Sequence, residues 1–232
     1  MRIGGLQKLT LLDYPGKVAC TVFLSGCNLR CPYCHNPGLV LPEQSEGSEI
    51  PEAEVLSFLE RRKGTLDGVC ITGGEPTLQL ELPEFLEKLR RLGYAVKLDT
   101  NGTNPAMLKA LLQERVLDYV AMDIKNSPSR YAETCGGIDC LSRVRESAAL
   151  LMDGTVDYEF RTTVTRELHG TADLVALSRW IAGAHAWHLQ SFVDADTVLA
   201  GPGALHAWDP ADLEALLPEL RQAVPNTQLR GV

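Results

Sequence analysis

Short apolar or β-branched runs recur along the chain, separated by polar breaks: VACTVFL from Val18, VCIT from Val69, AVKLD from Ala95, YVAMDI from Tyr119, YEFRTTV from Tyr158 and WHLQSF from Trp187. Each has the length of a strand. Between them the apolar period lengthens. Leu82, Phe85, Leu86 and Leu89 fall at i, i+3, i+4 and i+7, one face of a helix, and Leu108, Leu111 and Leu112 follow the same pattern. Helices are also expected over 52–62, 141–152, 171–182 and 211–223, several opened by proline or by a capping residue such as Thr171.

Strands alternating with amphipathic helices imply βα units and a parallel sheet. Six repeats fall short of the eight that close a barrel. The expected class is therefore α/β, an open (βα)6 partial TIM-like barrel, with a doubly wound sheet as the alternative. No linker rich in Pro, Gly or Ser divides the chain, so residues 1–232 read as one domain, and the polar stretch from Leu41 to Glu52 reads as an exposed loop. In either architecture, reactive groups belong at the carboxyl ends of the strands.

Composition narrows the functional classes. A formal charge of -8 argues against a nucleic-acid partner, which is bound mainly through an excess of lysine and arginine. No run approaches the roughly 18 apolar residues of a membrane span, and the N-terminus lacks an apolar signal region, so a cytoplasmic protein without a membrane partner is expected. Seven cysteines, an odd number without a signal sequence, make a disulfide framework a poor reading. The clustered thiols read as metal ligands or redox groups. Cys20 and Cys70 lie inside strand runs and read as core, whereas Cys135 and Cys140, in TCGGIDC, match no site.

The cluster is CNLRCPYCHN, with Cys27, Cys31 and Cys34 directly after the first strand. Three thiolates on one short loop can wrap a soft metal centre, and closed structural zinc prefers four ligands. His35 adjoins Cys34 too closely to turn onto the same centre, and Cys20 lies down the strand. Three ligands are thus the full set, which leaves one iron of a [4Fe–4S] cluster open to a small molecule. In ITGGEPTLQ, Gly73 and Gly74 let a ligand approach the backbone and Glu75 precedes a proline; the plainer reading is a tight turn. Asp99 and Thr100 close the third strand, and Asp123 and Lys125 close the fourth on one side of it, either for a zwitterionic ligand or as an ion pair.

The C-x3-C-x2-C spacing, with an aromatic before its last cysteine, resembles the signature of the radical S-adenosyl-L-methionine (SAM) superfamily. The resemblance implies that the open iron is chelated by the methionine part of SAM. One electron from the cluster then breaks a carbon–sulfur bond, and the resulting 5'-deoxyadenosyl radical takes hydrogen from a substrate. It assigns the Gly73–Gly74–Glu75 turn to the SAM amino group, and Tyr33, His35 and Asn36 to adenine. The DTNG and DxK motifs are very similar to those of glycyl-radical-enzyme activating enzymes. They place Asp99, Thr100, Asp123 and Lys125 at the SAM carboxylate and ribose, with a monovalent cation near Asp99, Thr100 and Asp123. Arg161 matches an arginine of the same enzymes, with a salt bridge as its alternative.

The resemblance also implies a polar residue after the fifth strand that meets SAM, but spacing does not separate His169 from Asp173, and His188 reads first as a core histidine. The opening LTLLDYPGKVACTVFLSGCNLRCPYCHNP and the terminal LRG resemble anaerobic ribonucleoside-triphosphate reductase activating proteins, in their longer variant. The implied function is hydrogen abstraction from a glycine of a partner glycyl radical enzyme, with electrons from a low-potential donor such as flavodoxin or ferredoxin. The alternatives are a radical SAM enzyme acting on a small molecule, such as a modified-nucleoside precursor, and a zinc-stabilised binding module.

Overall fold

All six expected runs form strands, with helices where the longer apolar period places them. In the computed structural model, which describes residues 1–40 and 49–231, the elements are β1 (Ile3–Thr10), β2 (Ala19–Leu24), α1 (Glu52–Arg61), β3 (Gly68–Gly73), α2 (Leu82–Arg91), β4 (Ala95–Thr100), α3 (Pro105–Gln113) and β5 (Tyr119–Asp123). They continue with α4 (Leu141–Met152), β6 (Asp157–Val164), α5 (Thr171–Trp180), β7 (Trp187–Ser191), α6 (Pro210–Ala223) and β8 (Thr227–Arg230). The class is the expected one: α/β, with a mostly parallel, open sheet. Most of the expected loop from Leu41, at positions 41–48, lies outside the described residues.

The chain forms two compact units. The first comprises Met1–Asn28, Gly38–Thr100 and Asn104–Ala121, and the second Leu29–Pro37, Asn101–Thr103 and Met122–Val232. In the first, β2, β3 and β4 run parallel, with Ala19 opposite Gly68 and Gly68 opposite Ala95. Cys20, Val22, Leu24, Val69, Cys70, Ile71, Val96 and Leu98 are all buried, as expected of parallel strands covered on both faces. Helix α2 buries Leu82, Phe85, Leu86 and Leu89 and turns Lys88 outward, where it bridges Glu84 at 2.8 Å and Glu52 of α1 at 2.9 Å.

In the second unit, β6, β7 and β8 run parallel, with Phe160 opposite Trp187 and Trp187 opposite Thr227. Helix α4 buries Val144, Ala148 and Leu151, α5 buries Leu174 and Leu177, and α6 buries Leu213, Leu216, Leu217 and Leu220.

Two strands escaped the pattern. β1 is an antiparallel edge strand whose IGGLQKLT contains two glycines and no sustained alternation, and its pairing with β2 is irregular at two places. β8 is only four residues long. One cap also differs from expectation. Helix α5 begins at Thr171, and the cap bond runs from the Gly170 backbone N–H to the Asp173 carboxylate at 3.0 Å, so Asp173 does the work assigned to Thr171.

The α2 stripe is expected to be a main source of stability in the first unit. Leu86→Ala should lower the unfolding free energy by about 2–5 kcal/mol in urea titrations. Leu80→Ala, at a position 86% exposed, should stay within about 0.5 kcal/mol of the parent.

Candidate functional site

The first unit carries the entry to the cysteine loop and the glycine turn. β2 ends at Leu24, and Cys27 follows three residues later. The Glu75 backbone N–H donates to the Gly26 carbonyl at 2.8 Å, which holds the turn after β3 against the segment leading to Cys27. A Cβ on Gly74 would lie 2.1 Å from the Gly26 oxygen and 3.2 Å from the Cys27 Cβ. Gly73 has φ +123°, and a Cβ there would meet the Leu24 carbonyl at 2.2 Å. Only glycine fits at either position.

Glu75 is fully buried. Its Oε1 accepts hydrogen bonds from the Thr77 backbone N–H at 3.0 Å, the Thr77 hydroxyl, and the Thr100 hydroxyl at 2.7 Å. The expected residues Glu75 and Thr100 are therefore in direct contact, and Thr77, not foreseen, fixes the carboxylate. Asp99 is paired with the ammonium of Lys97, a buried lysine that also lies 3.8 Å from the Cys70 sulfur. Lys97 was overlooked, although a charge inside AVKLD, two residues before Asp99 and so on the same strand face, was the available signal.

The second unit holds Cys31 and Cys34. The Cys34 N–H donates to the Cys31 carbonyl at 3.0 Å, closing a turn. That turn is anchored from outside: Leu199 N–H donates to the Cys34 carbonyl and Ala200 N–H to the Pro32 carbonyl, both at 2.9 Å, and Arg30 N–H donates to the Cys135 carbonyl at 3.2 Å. The His35 ring packs 5.5 Å from Phe192. Tyr33 is buried with Lys125 Nζ 5.7 Å from its ring centre, and among the described residues its hydroxyl has no hydrogen-bond partner.

The two thiols are tuned in opposite senses. A hydrogen bond with Cys135 lowers Cys31 to about 7, against the opposing effect of burial. Burial pushes Cys34 up, partly offset by a bond from the backbone of Asn36.

Asp123 accepts from Lys125 Nζ at 2.8 Å and from Arg161 Nε at 3.1 Å. Burial works against its charge, but the two cations prevail and hold its carboxyl below the usual range. Asp123 and Lys125 thus form the ion pair read as their alternative, and Arg161 the salt bridge read as its own. Each carboxylate expected to share a monovalent cation already has a side-chain cation beside it, Lys97 for Asp99 and Lys125 with Arg161 for Asp123.

The two histidines part company. His169 is buried, its Nδ1 accepting from the Thr165 N–H at 3.2 Å and its Nε2–H donating to the Lys125 carbonyl at 2.8 Å, and burial lowers its pKa. It is a neutral structural residue that steadies the chain after β5. Asp173 is engaged by Gly170, by the Ser127 hydroxyl at 2.9 Å and by Arg130. Neither side chain is left over to meet a ligand. His188 is buried, with Nε2 3.3 Å from Glu159 and, among the described residues, Nδ1 without a partner; Glu159 in turn receives both Arg230 nitrogens at 2.9 and 2.8 Å. Cys20 is core as expected, its thiol raised to about 12 by burial. Among the described residues, no three His, Cys, Asp or Glu side chains converge on one metal ion.

Residues 21–166 match the family model of the radical SAM superfamily. The chain belongs to that superfamily. A Methanocaldococcus jannaschii protein whose name assigns it provisionally to the glycyl-radical enzyme activating enzymes is 32% identical over 200 residues, covering 84% of this chain and 81% of its own length. The 7-carboxy-7-deazaguanine synthase of Koribacter versatilis is 31% identical over 198 residues, covering 84% and 82%. Streptococcus suis SuiB bound to S-adenosylmethionine superposes with a TM-score of 0.70 at 16% identity, over 89% of this chain and 48% of that one, a likeness of fold.

As a radical SAM enzyme the protein uses a [4Fe–4S] cluster and SAM, and membership removes the basis for a zinc-stabilised binding module. The residues fit these groups. All seven cysteines are free thiols, the Cys31 sulfur is poised to ionise near neutrality, the Gly73–Gly74 turn leaves no room for a side chain, and among the described residues the buried Tyr33 hydroxyl has no hydrogen-bond partner.

The Asp123 pair should be visible in acid. A depressed folded-state pKa means that its stabilisation is complete above the ordinary aspartate value of 3.8 and is lost as pH falls through and below that value. Tm measured from about pH 6 to about pH 3 should fall less steeply in Asp123→Asn than in the parent, with the two curves converging at the acid end.

Proposed function

We propose that the protein activates a glycyl radical enzyme by removing a hydrogen atom from one of that partner's glycines. The observation that carries this reading is the 32% identity to the Methanocaldococcus activating-enzyme relative across 84% of the chain. The DTNG and DIK motifs, at Asp99 to Gly102 and Asp123 to Lys125, support it. When bound, the cluster and SAM supply one-electron cleavage of a carbon–sulfur bond and the hydrogen abstraction that follows.

The chain supplies position. Cys27, Cys31 and Cys34 hold the cluster. The backbone of Gly73 and Gly74, with the Glu75 carboxylate oriented by Thr77 and Thr100, receives the SAM ammonium. Lys125 and Arg161, held by Asp123, meet the SAM carboxylate, while Asp99 and Thr100 orient the ribose. Tyr33, His35 and the Asn36 backbone line the adenine. Electrons come from a low-potential donor of the flavodoxin or ferredoxin kind. The resemblance of the N-terminal stretch makes an anaerobic ribonucleoside-triphosphate reductase the first partner to test.

A second reading has its own support. The Koribacter synthase matches as much of the chain at almost the same identity, and its name denotes work on a small nucleobase-like molecule. The two readings separate in one experiment. Anaerobically reconstituted protein, incubated with reductant, SAM and a candidate glycyl radical enzyme, should form 5'-deoxyadenosine together with a glycyl signal in electron paramagnetic resonance of the partner. Deoxyadenosine without any partner radical, alongside conversion of a small nucleobase-like precursor, would establish the second reading instead. Cys31→Ala should reduce deoxyadenosine formation to background while leaving the far-ultraviolet circular dichroism unchanged.

A further inference from the structure

Strands β6, β7 and β8 of the second unit have one closed face and one polar face. Phe160, Thr162, Val164, Trp187 and Leu189 are buried on the first, where Trp187 Nε1–H donates to the Thr162 hydroxyl at 2.9 Å. Strand alternation and the parallel register put Glu159, Arg161, Thr163, His188, Gln190 and Arg230 together on the second. Arg161 of that face already has a cofactor role. Directly across the ladder from it stands His188, which has none.

His188 is only 5% exposed, and among the described residues its Nδ1 meets no partner. Its Nε2 lies 3.3 Å from the Glu159 carboxylate, which both terminal nitrogens of Arg230 also reach. Burial works against the charge on Glu159, but His188 and Arg230 prevail and hold its carboxyl below the usual range. An ionised carboxylate only accepts, so the hydrogen of the neutral imidazole sits on Nε2. Nδ1 is left as an acceptor.

Packing alone is the plainer role for such a residue. An unmet buried acceptor is destabilising, however, and an apolar ring would fill the same space without one. The path to the ring can be traced from the register. Arg230 stands beside Gln190, and Glu159 precedes Phe160, the partner of Trp187, so the Arg230 side chain crosses β7 at the level of His188. That side chain is 39% exposed, and Gln190 and Thr163 next to it are half-buried. His188 is therefore reached past a long, flexible side chain at the accessible end of the face.

The chemistry of the site selects its ligand. Glu159 and Arg230 cancel in charge and the imidazole is neutral, so nothing there offsets the desolvation of a charged group. Nδ1 requires an N–H donor. Arg230 spends one N–H of each terminal nitrogen on Glu159 and keeps others for an acceptor. A neutral donor and acceptor side by side are what the edge of an extended peptide presents, and at glycine no side chain holds that edge away.

We propose that His188 is a substrate-binding residue: its Nδ1 accepts a hydrogen bond from a backbone N–H at the target glycine of the partner's loop, beside the Arg230 guanidinium. The inference rests on the reading of the protein as an activating enzyme and names a group that receives its protein substrate.

The test measures binding without turnover, on anaerobically reconstituted protein with SAM and no reductant. The probe is a synthetic peptide spanning the glycyl loop of the candidate ribonucleotide reductase, with two analogues N-methylated singly, at the glycine and at the residue after it. His188→Gln sets an amide where Nε2 stood, keeping a partner for Glu159 but losing the acceptor. It should bind the peptide roughly twofold to tenfold more weakly than wild type. His188→Asn sets an amide oxygen where Nδ1 stood and should recover most of that loss, the reverse of what steadying Glu159 alone would give. One N-methylated peptide should lose affinity for wild type but not for His188→Gln. Should a variant fail to fold, the nitrogen-15 resonance of His188 Nδ1 in wild type decides: it should move upfield with the peptide and stay in place with that N-methylated analogue.

Equal affinities in the three proteins, equal losses on N-methylation in wild type and His188→Gln, or a resonance that does not move would overturn the proposal while leaving the activating-enzyme reading intact. Failure of the wild type to bind the peptide at all would remove that reading, and this inference with it.

Discussion

Desolvation governs the charged interior of this protein. A charge taken out of water costs several kcal/mol unless a partner and further hydrogen bonds meet it. Three strand regions solve this in the same way, with opposite charges two residues apart on one strand face: Lys97 with Asp99, Asp123 with Lys125, and Glu159 with Arg161 along β6. Cross-strand partners complete the sets, Arg161 with Asp123 and Arg230 with Glu159. Because each cation is already bound to its carboxylate, its side chain has lost its rotamer freedom before any ligand arrives. A zwitterion approaching Asp123, Lys125 and Arg161 would meet charges in place, and the entropy of ordering long side chains has been met in folding.

The same pattern explains what was legible from residues alone. K-x-D, D-x-K and E-x-R inside apolar runs are conspicuous, because nothing else accounts for a charge in a buried strand. Asp99, Asp123 and Lys125 stood out in this way, while Lys97 and Glu159 passed unnoticed as strand filler. The six central strands and the helices were legible because burial on both strand faces and on one helix face imposes a period. β1 and β8 were not, since an edge strand with glycines and a four-residue strand carry no period to detect. The approach of Cys135 to the cysteine loop, where its carbonyl accepts from the Arg30 N–H, was beyond reach for a different reason: the residues are far apart in sequence, and only the paired glycines of TCGG hint that a backbone must come close to something.

The thiols show how one residue type takes three roles by environment. Cys20 sits in an apolar strand, where burial raises its pKa and it behaves as a small hydrophobe. Cys34 is also penalised by burial, yet its sulfur receives a backbone N–H. Cys31, like Cys140, has a neighbouring thiol that favours its ionised form strongly enough to outweigh burial. A soft metal centre binds the thiolate, so the order in which these sulfurs give up protons is also an order of readiness as ligands, with Cys31 the first of the pair in the second unit.

His169 and His188 extend the argument to polar atoms that charge does not control. Each is buried, and sequence alone could not rank them. His169 uses both ring nitrogens on backbone groups, one accepting and one donating, so its tautomer is fixed and it has nothing to offer a ligand. His188 uses one nitrogen on Glu159 and leaves Nδ1 buried and unmet. An unmet buried acceptor costs about 1–3 kcal/mol, and a fold that satisfies His169 so completely has no general difficulty with histidine. The asymmetry follows from position: His169 lies in a loop, where backbone groups are free to turn toward it, whereas His188 stands within β7, between strands whose backbone groups are committed to the ladder. Within that ladder the ring of His188 meets another side chain, Glu159, rather than a backbone group.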